Sequence, residues 1–186
     1  MSTIIDNLYN EINDIILKLE NESEISLALD AKRHFTKIFV LSSASYFEDE
    51  IQKILEKFVT ITSSEDKRLI NFVRKKAILF QYHTYFDWGE KGNPLKPRKN
   101  ANSFFAMFGN EFKERINDEI KDKEDVKKSI ECFIELGHIR NILVHNNFAA
   151  YNNIPKTLEE FYSMYLSAEG FISFISEHLI NNSGEN

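Results

Sequence analysis

Apolar residues recur at steps of three and four along most of this chain, which is the period of an α-helix. Only six Gly and three Pro interrupt the 186 residues, so long helices are favoured over many short elements. No segment shows the alternation of apolar and polar residues that a half-buried strand would need. We therefore predict an all-α helical bundle. The first stripe consists of Ile4, Ile5, Leu8, Ile12, Ile15, Ile16 and Leu19.

Interruptions of this pattern set the expected helix boundaries within a single domain, residues 1–186. The second helix is either continuous or bent near Ser42 and Ser43. An irregular loop excursion is expected over residues 82–100, which hold two of the three prolines. The predicted helices span residues 4–20, 24–61, 65–80, 110–121, 123–146 and 157–181.

Short polar residues before these helices are candidate N-caps, because their side chains accept hydrogen bonds from free backbone amides. Ser23 is the candidate for the second helix, and Ser63 or Ser64 for the third. Thr157 is the candidate for the last helix, where Glu160 stands at the position that completes a capping box.

The charge and the single cysteine exclude several classes of protein. A formal net charge of −6 argues against broad, non-specific binding of nucleic acid, although a small basic cleft is compatible with it. Cys132 is the only cysteine, which rules out an intrachain disulfide and a cysteine-based zinc cluster. No apolar run reaches the roughly 20 residues that cross a bilayer, and no basic region precedes an apolar one at the N-terminus. We expect a cytoplasmic protein without membrane association.

Two parts of the excursion each allow two interpretations. The aromatic stretch YHTYFDW, residues 82–88, either anchors the loop to the bundle or forms a rim on which bases stack. A cluster of four cations within nine residues is either a solvated loop or a rim that contacts phosphate. These cations are Lys91, Lys96, Arg98 and Lys99.

The stretch HIRNILVHNNF, residues 138–148, contains residue types suited to metal-free RNA cleavage. In that reaction the ribose 2′-hydroxyl loses a proton, the phosphorus centre gains negative charge, and the 5′-oxygen is protonated as it leaves. The imidazole of His145 can exchange a proton near neutral pH, and the guanidinium of Arg140 matches phosphate geometry. Asn141 can orient either group. The same spacing also occurs by chance, so the chemistry alone leaves a structural role open.

Helix geometry does not by itself bring Arg140 and His145 together. Residues five apart lie roughly 140° apart around the axis and about 7.5 Å apart along it. The long arginine side chain and fraying of the helix at residues 145–147 would shorten this separation. A two-fold dimer would supply the rest, because its interface brings the motif of both subunits to one cleft.

Three residues just before the motif are also open to interpretation. His138 either lines the same cleft or is a helix residue bonded to a neighbour. Gly137 costs a helix about 1 kcal/mol relative to Ala, which either close helix packing in a dimer or a tolerated weak position would explain. Glu135 and His138 have the spacing of di-iron bundles, but the chain has no second such pair, so we expect no metal site.

These segments together resemble the HEPN superfamily. RNILVH, near the end of the penultimate helix, is similar to the Arg-polar-x3-His motif of that superfamily. The similarity extends over residues 28–180 and is closest to the bacterial branch associated with RiboL-PSP-type systems. It rests on LSSASYFEDEIQKIL, YHTYFDWG, ANSFFAMFG and FIELGHIRNILVHNNF.

The resemblance implies a bundle that dimerises through its motif helices around a shared cleft. Many members are metal-independent endoribonucleases, often toxins or effectors of phage defence, and some have a neutralising or regulatory partner protein. It therefore implies RNA as substrate, no cofactor, and a 2′,3′-cyclic phosphate product. The competing hypothesis is a non-catalytic HEPN module that binds RNA, a nucleotide or a partner protein.

The resemblance also assigns candidate site residues. Arg140, Asn141 and His145 match the motif position by position. Many members supply an acidic or polar residue from an earlier helix, and Glu48 in SYFEDE is the candidate here. Glu50, or a surface carboxylate without a role, fits this position almost as well.

Overall fold

The computed structural model describes residues 2–181, and within them the predicted all-α bundle is confirmed. Residue 1 and residues 182–186 of the predicted domain lie outside the described residues. Over residues 2–181, no helix is both long and apolar enough to cross a bilayer. The helices are α1 (Ile4–Asn21), α2 (Ile25–Thr62), α3 (Lys67–Val73), α4 (Tyr82–Tyr85), α5 (Asn102–Ala106), α6 (Asn110–Ile120), α7 (Glu124–His145) and α8 (Leu158–Ser176).

Helices α2, α7 and α8 form the centre of the bundle. Helix α7 packs along α8, α2 lies against both, and α1 covers α2. Two π-helical turns extend helices: Arg74–Ile78 follows α3, and Glu177–Asn181 follows α8. The core between these helices combines aromatic rings with many isoleucine side chains, and Cys132 is buried in it as expected.

The long second helix is continuous, so the alternative with a bend in its middle is wrong. Helix α2 runs for 38 residues without interruption. Ser43 is fully buried at the position of the expected bend. The buried residues of α2 extend without a break in the helix from Ala28 to Leu55.

All three candidate serine caps, Ser23, Ser63 and Ser64, are wrong. Ser23 has a φ of 62° and completes the turn that ends α1, while α2 begins after Glu24 without a side-chain cap. Ser63 ends α2, and the carboxylate of Asp66 caps α3 by accepting from Arg68 N at 2.8 Å. Ser23 and Ser63 therefore belong to the end of the preceding helix rather than to the start of the next one.

The capping box at the start of α8 is confirmed. Glu160 N donates to Thr157 Oγ1 at 3.2 Å, and Thr157 N donates to Glu160 Oε2 at 2.7 Å. The same arrangement begins α1, where Thr3 and Asp6 bond reciprocally. Tyr162 of α8 donates to Asp6 Oδ1 at 3.0 Å, which ties the start of α1 to the last helix.

The excursion over residues 82–100 is more regular than the sequence indicated. It contains α4 and an antiparallel hairpin of β1 (Gly89–Glu90) and β2 (Asn93–Pro97), with Gly92 at a φ of 91° in the turn. The prediction of no strands is wrong here, because strands this short cannot display an alternating pattern.

Aromatic side chains anchor the excursion to the bundle. Tyr82, Tyr85 and Phe86 are buried, whereas His83 is exposed. The Phe86 ring stacks on Phe104 with centroids 5.0 Å apart and an angle of 10° between planes. The anchoring interpretation is therefore correct for these three rings.

Trp88 explains the glycine in α7. A Cβ at Gly137 would lie 1.9 Å from Trp88 Cζ3, so only a glycine leaves room for the indole. The indole Nε1 donates to the His83 carbonyl at 3.2 Å, which fixes the ring in place. The close packing at Gly137 is thus with a side chain of the same chain, and both explanations offered from the sequence are wrong.

We expect Gly137→Ala to lower the free energy of unfolding by about 1–3 kcal/mol, the usual cost of overpacking a core. The loss should appear although Ala favours a helix over Gly. Urea denaturation measures it. Gly170→Ala in α8 is the matched control, since its Cβ would meet Ser129 Cβ at 3.3 Å and needs only a small adjustment. An equal or larger loss in the control would contradict the role of Trp88.

Candidate functional site

The four predicted site residues lie around one concavity of about 440 Å³, which we call the motif cleft. A single chain brings Arg140 and His145 to the same cleft, so a second subunit is not needed for that step. The cleft lies between α2, the segment before α4 and the end of α7. Its lining consists of Glu48, Phe80, Tyr82, His83, Arg140, Asn141, Val144 and His145.

The Arg140 guanidinium is held between Asn141 and Glu48 of α2. Its Nη1 donates to Asn141 Oδ1 at 3.0 Å, and its Nη2 lies 3.6 Å from Glu48 Oε2. The side chains of Arg140 and Glu48 are 27% and 29% exposed. An ion pair this accessible is worth only about 0–1 kcal/mol. Arg140 is therefore oriented, yet it can exchange the carboxylate for a phosphate at little cost.

The structure distinguishes the placement of the two candidate glutamates. Glu48 faces Arg140, whereas Glu50 pairs with Lys53 at 2.8 Å on the surface of α2. Lys53 also meets Asp49 at 2.6 Å. Of the carboxylates in SYFEDE, Glu48 is thus the one that lines the motif cleft.

His145 is the last residue of α7, and its side chain is exposed. The helix ends there because Asn146 caps it: its Nδ2 donates to the Ile142 carbonyl at 2.7 Å, and its backbone N donates to the same oxygen at 3.1 Å. The imidazole makes no hydrogen bond with any other residue in 2–181. Both ring nitrogens are therefore accessible to a ligand in the cleft.

A buried lysine that the sequence did not single out holds the segment after His145. Lys37 of α2 is fully buried, its Nζ donates to the Phe148 carbonyl at 2.9 Å, and it lies 5.2 Å from the centroid of the Phe148 ring. The Asn147 carbonyl accepts from the amides of Ala150 and Tyr151 in the turn that follows. Lys37 was missed because it belongs to a helix far away in the sequence.

Tyr82 forms the buried back of the motif cleft. Burial raises the pKa of its hydroxyl well above the ordinary value, and the Glu48 carboxylate adds to this rise. The phenol is therefore neutral at physiological pH. It can donate a hydrogen bond into the cleft but cannot act there as a base.

The basic hairpin and His138 do not line the motif cleft. Arg98 pairs with Asp87 at 3.4 Å and Lys99 with Glu131 at 4.0 Å, while Lys91 and Lys96 are exposed. His138 is buried, with its Nε2 3.2 Å from the Leu95 carbonyl of β2. The interpretation of His138 as a cleft residue is wrong, because the hairpin covers it.

The residues considered for a metal site have other contacts. Glu135 pairs with Lys156 at 3.0 Å, and His138 contacts the hairpin. In residues 2–181, no group of three or more His, Cys, Asp or Glu side chains is arranged to hold a metal ion.

Phe80 is a residue of the motif cleft that the sequence did not single out. Its side chain is 85% exposed at the mouth of the motif cleft, beside the exposed Val144. Its φ of 64° is a left-handed conformation that residues with a Cβ seldom adopt. An exposed phenylalanine with this backbone has no distinguishing pattern in the sequence.

Replacing Lys37 by Met should loosen the segment after His145. The Phe148 carbonyl would lose a hydrogen bond from a charged donor, which is typically worth about 1.5–3 kcal/mol. We expect the amides of Ala150 and Tyr151 to exchange hydrogen at least about tenfold faster. Lys53→Met, the same change at an exposed lysine of α2, is the control. Unchanged exchange in the Lys37 variant would show that the lysine does not hold this segment.

Comparison with known families supports the resemblance seen in the sequence. The family model described as RiboL-PSP-HEPN matches residues 5–181, nearly the whole chain. Comparison with curated proteins and with solved structures gave no match. HEPN domains often bind RNA and dimerise. The extent of the family match shows that this chain belongs to the RiboL-PSP-HEPN family.

Proposed function

We propose that this protein is a metal-independent endoribonuclease whose active site is the motif cleft. The observation that carries the proposal is the convergence of Arg140, His145 and Glu48 on one concavity. The cleft offers the Arg140 guanidinium as a partner for phosphate, the His145 imidazole as a group that can give or take a proton, and the Glu48 carboxylate, which orients Arg140. Its volume suits part of a nucleotide chain.

The chemistry requires two proton transfers on opposite sides of the phosphorus. The ribose 2′-oxygen gives its proton to a neutral imidazole and bonds to phosphorus, while the bond from phosphorus to the 5′-oxygen breaks. A protonated imidazole gives its proton to that oxygen. The products are a 2′,3′-cyclic phosphate and a 5′-hydroxyl. The Arg140 guanidinium stabilises the charge that develops on the non-bridging oxygens.

A two-fold dimer through the motif helices would complete this site. One imidazole cannot stand on both sides of the phosphorus in the same step. Within the described part of the motif cleft the other histidine is His83 on α4, so the second imidazole would come either from His83 or from His145 of a second subunit. In a two-fold dimer, His145 of one subunit would act as base and that of the second subunit as acid. The exposed Val144 lies next to His145 and is available for such a contact.

We assign Glu48 a positioning role. Its carboxylate faces the Arg140 guanidinium, while the Asn141 amide oxygen accepts from the other side. The two contacts aim the guanidinium into the cleft before substrate arrives, which reduces the cost of ordering it in the transition state.

A role as a toxin or effector in phage defence, controlled by a neutralising or regulatory partner and exerted in the cytoplasm, fits this activity and stays a prediction. The second candidate function is a non-catalytic module that binds RNA, a nucleotide or a protein. The net charge of −6 favours it, since an acidic protein gains little non-specific affinity for RNA.

The first test is His145→Ala in an RNase assay that contains EDTA. We expect cleavage to fall by at least about 100-fold, because loss of a general acid–base group typically costs 10²–10⁴ in rate. The control is His34→Ala, which removes an exposed histidine of α2 outside the motif cleft.

Equal cleavage by the folded His145→Ala and His34→Ala variants would contradict the proposed mechanism. Loss of wild-type activity in EDTA would instead point to a metal-dependent nuclease. Wild-type protein that binds RNA through Arg140, yet cuts no RNA, would establish the non-catalytic alternative.

The second test is Glu48→Gln, which keeps the shape of the side chain and removes its charge. We expect turnover to fall about tenfold, since Arg140 is held less firmly. RNA binding should become a few-fold tighter at low salt, because a carboxylate no longer repels phosphate. Glu50→Gln is the control. Weaker binding together with slower turnover would show that Glu48 contacts the substrate directly.

A further inference from the structure

The segment from Lys67 to Phe80 is strongly basic in an otherwise acidic protein. It contains five cations and no Asp or Glu, whereas the whole chain has a formal charge of −6. Arg68 pairs with Asp66 at 2.9 Å and Arg74 with Glu56 at 2.8 Å. The other three are exposed and form no ion pair with residues 2–181. These are Lys67, Lys75 and Lys76.

The same segment exposes large aromatic side chains. Phe72 is 63% exposed and Phe80 is 85% exposed, and no residue of α3 is buried. Lys75 and Lys76 follow Phe72 by three and four residues, so both lie on the same side of the segment as Phe72. We call the surface formed by Phe72, Lys75, Lys76 and Phe80 the α3 face. It contributes cations and rings to the surface rather than apolar area to the core.

The α3 face ends at the motif cleft. Phe80 lines that cleft together with Arg140 and His145. The π-helical turn Arg74–Ile78 precedes it, and the Tyr85 hydroxyl donates to the Ile78 carbonyl at 3.2 Å from beneath. These contacts keep the backbone in a conformation that turns the Phe80 ring into solvent, although the left-handed φ costs free energy.

We propose that the α3 face binds the single-stranded part of an RNA substrate and leads it to the motif cleft. Phe80 stacks on the base next to the phosphate in the cleft, Lys75 and Lys76 contact the phosphates of the following nucleotides, and Phe72 stacks on a further base. A basic surface that also presents aromatic rings is the usual means of binding single strands. The position of the strand relative to the cut rests on the proposed function.

Charge favours RNA over a second copy of this chain as the occupant. In a two-fold contact the α3 face would meet itself, which brings the unpaired lysines of both subunits together. A phosphate chain neutralises the same lysines, and its bases cover the exposed rings. The Arg140 guanidinium and the lysines of the α3 face also carry one sign of charge, so one strand can contact both.

Binding to a fluorescent single-stranded oligonucleotide of about 12 nucleotides tests the proposal. Every ribose is 2′-O-methylated, so the protein cannot cut the probe. We expect Phe80→Ala to weaken binding about tenfold, and Phe80→Trp to restore it, since any aromatic ring can stack. We expect the double variant Lys75→Ala/Lys76→Ala to weaken binding by a similar factor. It should also lower the slope of log affinity against log salt by about 1.4, for two phosphate contacts.

The matched control is the double variant Lys91→Ala/Lys96→Ala, which removes two exposed lysines of the hairpin outside the motif cleft. Its affinity should stay within about twofold of wild type. Circular dichroism and sedimentation of all variants check their fold and mass. A dimer that falls apart in the Phe80 or lysine variants would overturn the proposal by making the α3 face a protein interface.

The outcomes separate this proposal from the proposed function. If the wild-type protein cuts RNA and binding is unchanged in both the Phe80 and the Lys75/Lys76 variants, RNA binding by the α3 face would be contradicted and the proposed nuclease activity would be retained. If binding depends on these residues but the wild-type protein cuts no RNA, RNA binding by the α3 face would be supported and the proposed nuclease activity would be contradicted. Equal losses in the hairpin control would also overturn the proposal, because general charge would then explain binding.

Discussion

The arrangement of the other elements depends on how the ring of Phe133 in α7 packs against its neighbours. Its centroid lies 4.9 Å from Phe171 of α8, 4.9 Å from Phe86 of the excursion, and 5.6 Å from Phe47 of α2. Burial of these rings fixes the rotation of α7 about its axis. Arg140 follows Phe133 by seven residues, on nearly the same side of the helix, and therefore points to α2 where Glu48 lies. Core packing thus determines which carboxylate the arginine meets.

The excursion between α3 and α5 fixes the other side of the site. Trp88 fills the space above Gly137, and Phe86 stacks within the core, so the chain immediately before them is held against the end of α7. This places Tyr82 behind the motif cleft and Phe80 at its mouth. The glycine that weakens α7 as a helix is the condition for this docking, since any larger residue would displace the indole.

The sequence predicted what depends on local pattern and missed what depends on distant partners. Apolar spacing predicted the six longer helices to within a few residues but not the short α4 and α5. The end of α7 followed from the asparagines after His145. The role of Gly137 and the anchor supplied by Lys37 depend on residues 49 and 111 positions away, which no local pattern reveals. The choice between Glu48 and Glu50 needed the rotation of α2. The role of Phe80 could not be predicted, because its exposed position depends on a left-handed backbone conformation that no local sequence pattern indicates.

Charge separation reconciles an acidic chain with the nucleic-acid substrate that we propose. Exposed carboxylates over most of the surface repel phosphate at long range, and at physiological salt this repulsion fades beyond about 8 Å. The proposed contacts at the motif cleft and the α3 face act at shorter range, so a strand would gain affinity only where Arg140, Lys75 and Lys76 meet its phosphates. The acidic remainder lowers binding elsewhere on the molecule. A small basic surface on an acidic body therefore favours one path for RNA over the many that a uniformly basic protein would offer.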